Sequence, residues 1–181
     1  MPRYVAFLRA INVGGHVVRM EQLRRLFTAL GFSEVETFIA SGNVIFVSAS
    51  TDVRALERKI EAHLEQSLGY VVATFVRSLE ELSAIARYQP FGSEASGGEK
   101  LTTYIIFLAE PLKAVARKQV LAFSRDGDEL AVKGREIYWR RRGNMLDSPF
   151  TGAQLERTSA EAATMRNRNT VVRLAAKYPC T

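Results

Sequence analysis

The sequence predicts an α+β protein built of two units, and three observations carry that expectation. Short apolar runs of strand length are interleaved with stretches whose apolar residues recur at every third or fourth position. Glycines and small polar residues fall between them where β-α-β-β connections need turns. The β-α-β-β order appears twice, once before residue 77 and once after it.

Taken in order, Tyr4 to Ile11 is a strand by content and length. Leu23, Leu26, Phe27 and Leu30 then recur at helical spacing and stop at Gly31, which suits a left-handed residue just past a helix end. Val35 to Ala40 and Val44 to Ser48 read as a hairpin turning at Ser41-Gly42-Asn43. Thr51 or Asp52 caps a helix with the stripe Val53, Leu56, Ile60, Leu64 and Leu68, ended by Gly69. Tyr70 to Val76 is the fourth strand, so residues 1–77 form a β-α-β-β-α-β unit in the ferredoxin-like order.

Residues 78–181 are expected to form a related α-β-α-β-β-α-α unit with extra C-terminal helices. Ser78 and Glu81 are spaced as a capping box at its first helix, and Pro90 closes that segment. Ser93 to Gly98 is small and polar, the composition of a mobile loop. Leu101 to Leu108 is a strand and Leu112 to Phe123 a helix; Asp128 to Val132 and Glu136 to Arg140 make a hairpin around Lys133-Gly134-Arg135. Helices are expected over Thr151 to Thr158 and from about Asn167 to Lys177. No sequence identity is evident between the halves, so the repeat reads as topological. Both faces of the first sheet are apolar, with Tyr4, Ala6 and Leu8 on one side and Val5 and Phe7 on the other. Helices cover only one face of such a sheet, so the two units are expected to pack tightly.

Composition narrows the function classes. The chain is 47% hydrophobic and 24% charged, which is ordinary for a globular protein. Its apolar runs are far shorter than the ~20 residues of a membrane span, and it opens with no export signal. The single cysteine, Cys180, allows no internal disulfide, so a reducing, cytoplasmic setting is expected. With only His16 and His63 as histidines, no histidine-rich or thiolate metal site is expected, and no cofactor signature appears.

The charge is uneven. Residues 1–132 hold 15 Lys/Arg and 15 Asp/Glu, whereas the rest hold 10 Lys/Arg and 4 Asp/Glu, which places the whole net charge of +6 after residue 132. Lys133, Arg135, Arg140, Arg141 and Arg142 crowd the second hairpin. That field favours an anionic partner, either nucleic acid or an acidic protein, or else serves as a solvated face. Tyr138 and Trp139 beside the arginines resemble the mixture that binds single-stranded nucleic acid, although alternation puts Ile137 and Trp139 on a core face.

The sharper pointer to a site is topological. In a right-handed β-α-β crossover the two strands run parallel, so their ends reach one edge of the sheet. Arg9, Asn12, Gly14, Gly15 and His16 leave the first strand there, and Ser41, Gly42 and Asn43 turn there. Glycines admit close approach of a backbone, successive amides cradle anions, and arginine supplies a fork for phosphate or carboxylate. A small anionic ligand is therefore expected at that rim, with Arg166 and Asn167 closing it from the second unit. The same residues also suit a plain loop and turn, and the asparagines near residue 167 also suit helix caps. No acid and base pair emerges, so whether a reaction is catalysed is left open.

The words Leu8-Arg9-Ala10-Ile11-Asn12-Val13-Gly14-Gly15, Ser41-Gly42-Asn43-Val44-Ile45-Phe46 and Thr164-Met165-Arg166-Asn167-Arg168-Asn169-Thr170-Val171 resemble the bacterial domain of unknown function 1697 family in order and spacing. The resemblance implies an α+β fold of ferredoxin-like units and carries no assigned activity. Its usual pattern has glycine at position 10 and tryptophan at position 168, where this chain has Ala10 and Arg168.

Overall fold

A computed structural model of the protein describes residues 1–39, 42–92, 100–125 and 127–180. The chain divides into two compact units, Met1–Ala84 with Leu174–Thr181, and Ile85–Arg173. Each contains a four-stranded antiparallel sheet with helices, an α+β arrangement.

The first unit runs β1 (Arg3–Leu8), α1 (Met20–Ala29), β2 (Ser33–Thr37), β3 (Asn43–Val47), α2 (Val53–Leu68) and β4 (Thr74–Ser78), with strand order β2-β3-β1-β4. Both β1 and β2 pair antiparallel to β3, so they run parallel with β3 between them. The helix ends follow local chemistry. Asp52 caps α2 by accepting from Ala55 N at 2.9 Å, and Gly69 closes it at φ 82°. Tyr4, Ala6 and Leu8 pack with Leu23, Phe27, Ile60 and Leu64 in one apolar core. Val5, Phe7, Ile45 and Phe75 on the opposite side of the sheet are buried as well. β4 is an edge strand, and two carboxylates of α2 cover it: Glu57 accepts from Val76 N and Glu61 from Thr74 N, each at 2.9 Å. Those contacts satisfy donors that an edge otherwise offers to another chain.

α3 (Leu79–Arg87) starts at the expected capping box, with Ser78 N donating to Glu81 and Glu81 N to Ser78 Oγ. The second sheet follows as β5 (Leu101–Leu108), α4 (Ala114–Leu121), β6 (Asp128–Lys133), β7 (Glu136–Arg142), α5 (Gly152–Ser159) and β8 (Ala163–Asn167), ordered β6-β7-β5-β8, and α6 (Arg168–Lys177) ends it. Here the expected α-α ending is corrected, because a strand stands between the two helices. The sequence hides β8, since its buried positions are polar: Thr164 and Arg166 are only 7% and 8% exposed. Their polarity is satisfied locally, with Arg166 Nη1 donating to Thr164 Oγ1 at 2.8 Å and to Met165 O at 2.9 Å. The expected loop Ser93 to Gly98 lies outside the described residues.

Strand register also corrects the absence of identity between the halves. Tyr4 pairs with Phe46 and Ser78; Tyr104 pairs with Trp139 and Asn167. Aligned on that register, Tyr4, Phe7 and Leu8 match Tyr104, Phe107 and Leu108, and Arg77 matches Arg166. Both arginines are buried, and each donates from Nη1 at 2.9 Å to the carbonyl of the residue before it.

Candidate functional site

The first rim forms from two connections. β1 ends at Leu8, Arg9 N donates to Ala73 O at 2.9 Å, and Arg9 is half-buried. Beyond it Asn12, Gly14, Gly15 and His16 are exposed. Gly14 and Gly15 adopt φ 69° and 86° with open space around both. The Asn12 side-chain oxygen accepts from Val18 N at 2.6 Å, which closes the loop on itself. His16 stacks on Tyr70 with ring centroids 3.8 Å apart, and the Tyr70 hydroxyl donates to Ile11 O. Burial raises the Tyr70 hydroxyl above its ordinary pKa.

The hairpin turn meets this loop. Gly42 O accepts from Leu8 N at 2.8 Å, and a Cβ on Gly42 would stand 2.9 Å from Ile11 Cγ2. Gly42 is thus required by contact as well as by its φ of 77°. Asn43 is fully buried and clamps the turn, donating from Nδ2 to Phe38 O at 2.9 Å. Ser41 lies outside the described residues. The structure therefore brings Gly42 against Leu8 and Ile11 but turns that side of the rim inward, so its open part is the stretch from Asn12 to His16. Arg166 and Asn167 belong to the second unit. Burial pushes the Arg166 guanidinium down to about 10, which still leaves it cationic at neutral pH.

The basic hairpin is not one cationic stripe. Alternation turns Arg141 inward and Arg140 to the other face. Each faces a carboxylate across the β6–β7 ladder: Arg141 Nη1 lies 3.0 Å from Asp128 Oδ2, and Arg140 Nε lies 2.6 Å from Glu129 Oε2. Lys133 sits over the Tyr88 ring at 4.2 Å. Trp139 is buried and donates to Asp128 at 2.7 Å, so it is not an exposed platform for nucleic-acid bases.

A cleft of the second unit gathers what the sequence scatters. Where β8 gives way to α6, Thr103, Arg140, Arg168 and Asn169 line a space of about 400 Å³ with Gln89 and Phe91. A neighbouring space of about 350 Å³ shares Thr103, Arg168 and Asn169 and adds Lys100, Thr102 and Asn167. Arg168 is fixed by donating from Nη2 to Ala86 O at 2.9 Å. Arg140 is held between Glu129 and the Phe91 ring, 5.0 Å from its centroid. Asn167 accepts from Asn169 N at 2.9 Å and so caps the start of α6. The sequence places Arg140 among the hairpin arginines; strict strand alternation would have set it apart from Arg141. Among the described residues no group of three or more His, Cys, Asp or Glu could hold a metal ion, and no helix is long and apolar enough to cross a membrane.

With this geometry in view, comparison with known proteins fixes the kinship. Residues 1–138 match the model of a protein family of unknown function, DUF1697. The chain belongs to this family. Among solved structures it is similar to the conserved bacterial protein SP0830 from Streptococcus pneumoniae, with a TM-score of 0.70 at 24% identity, covering 98% of each chain. That likeness speaks to the fold alone. No curated protein matches.

Proposed function

We propose that the protein binds a small phosphate- or carboxylate-bearing molecule, and that the cleft between β7 and the start of α6 is where it does so. The observation that carries this is the convergence of Arg140 and Arg168, from two different elements, on one open space of about 400 Å³. Both guanidinium groups are already positioned, one by a backbone carbonyl and the other by a carboxylate and a ring. A ligand therefore meets pre-organised forks and loses less on ordering them. Thr103 and Asn169 add neutral hydrogen-bonding groups. Each unit is read as ferredoxin-like, supported by the β-α-β-β-α-β order and the β2-β3-β1-β4 arrangement that recurs in β6-β7-β5-β8. An exposed, unbridged Cys180 fits a cytoplasmic setting.

The test is calorimetric titration with inorganic pyrophosphate and with citrate. Arg168→Ala is expected to weaken binding by about tenfold or more, the loss of one charge-assisted contact, in a protein that still folds and loses only the stability of the bond to Ala86 O, about 1 kcal/mol. Absence of binding by the parent protein at millimolar probe, or equal binding by Arg168→Ala, refutes the assignment.

The first rim is the second location for the same chemistry, favoured by the exposed, left-handed Gly14 and Gly15 in the loop that follows Arg9. Loss of anion binding in Arg9→Ala with Arg168→Ala unaffected would move the site there.

A further inference from the structure

The two sheets are covered unequally. In the first unit α2, between the third and fourth strands, has 16 residues; in the second unit α5 occupies the same place in the order and has 8. At about 1.5 Å per residue, α5 spans half the length of α2. Beside α5, apolar residues of the second sheet line a small space. Ile106, Trp139 and Met165 form its floor, Met145, Phe150 and Leu155 stand around them, and the volume is about 190 Å³.

We propose that this cavity is a binding site for a small uncharged aromatic group, either free or at the end of a larger ligand. Size agrees, since an apolar protein cavity of roughly 150 Å³ accepts benzene. Wall chemistry agrees as well. The Trp139 ring stands edge-on to Phe150 at 5.3 Å between centroids, and the Met145 and Met165 thioethers are adaptable groups that contact aromatic rings favourably. Glu156 is the one charged residue in the lining and no cationic side chain stands there, which separates the cavity from the cleft at Arg168.

The sequence supplies its own probes, because it contains four methionines and one tryptophan. Toluene is titrated into protein labelled with 13C at the methionine methyls. The Met145 and Met165 signals are expected to shift and saturate, with a change in Trp139 emission, while Met1 and Met20 in the first unit stay fixed. Ala163→Leu, which fills the cavity from β8, is expected to weaken toluene binding by about tenfold, the equivalent of roughly two buried methylenes. Gly152→Leu is the second filling variant, since a Cβ there meets nothing within 4 Å; it decides the matter if Ala163→Leu does not fold. Signals that stay still up to the solubility of toluene, a parallel unsaturated drift of all four methyls, or folded filling variants that bind like the parent overturn the proposal.

Discussion

Asp128 gathers three side-chain donors in the second unit. Its carboxylate is fully buried and accepts from Trp139 Nε1 at 2.7 Å, Arg141 Nη1 at 3.0 Å and Ser148 Oγ at 2.7 Å. Ser148 Oγ in turn accepts from Phe150 N, so the network ties the segment after β7 to the β6–β7 hairpin and seats a wall of the aromatic cavity. Asp128→Ala strands two buried neutral donors, each worth about 1–3 kcal/mol, and removes the carboxylate beside a buried arginine. The expected loss is about 3–5 kcal/mol, the range for breaking a buried ion pair from one side and a large share of ordinary domain stability. Urea unfolding followed by far-ultraviolet circular dichroism measures it, since Trp139 emission itself will change. Asp128→Asn keeps the volume and the acceptor oxygen and should fall between parent and alanine variant. The double variant Asp128→Ala with Arg141→Met should recover part of the loss, because the buried cation goes too. An Asp128→Ala cost below about 1 kcal/mol, or no recovery in the double variant, refutes the network as a stabilising unit.

Two glycines separate strain from contact. Gly14→Ala and Gly42→Ala both place a Cβ at positive φ, worth about 1 kcal/mol, but only position 42 brings it to 2.9 Å from Ile11 Cγ2. Gly42→Ala should therefore lower the urea midpoint clearly more, and equal effects would contradict the close packing of the two bends. Glu61 tests the cover of β4. Burial raises its carboxyl above the ordinary value of 4.5, with the charge of Glu57 adding to the shift and the Thr74 N–H opposing it. The folded state thus holds this proton more tightly than the unfolded chain does. The cost of ionising Glu61 is present above the folded value and is relieved as pH falls through it toward 4.5. Glu61→Gln keeps an acceptor for Thr74 N and drops the charge. It should be at least as stable as the parent at pH 7, by less than about 1 kcal/mol because the site is half-buried and screened, with the gap closing on acidification. A variant less stable at neutral pH would show that the negative charge itself holds the edge.

Much of this molecule was legible residue by residue. The capping pair Ser78 and Glu81, the Asp52 cap, the stop at Gly69 and the stripe Leu56, Ile60 and Leu64 are local features, decided within a turn or two of chain. The meeting of the first loop with the turn at Gly42 followed from crossover topology alone. What local patterns could not supply is burial of polar groups, because it depends on partners far away in sequence. β8 has no apolar signature because Thr164 and Arg166 are polar at buried positions. Two of the hairpin arginines, Arg141 and Arg140, proved to face Asp128 and Glu129 because register, not order, sets which charges face each other. The same holds for the cleft. Sequence alone determined the elements of the first unit and all but β8 of the second, in their order; tertiary structure decided that Arg140 and Arg168 share one space and that an apolar hollow lies beside the short α5. Helix capping and periodicity act over a few residues, whereas cavities and charge pairs between strands exist only once distant strands are in register.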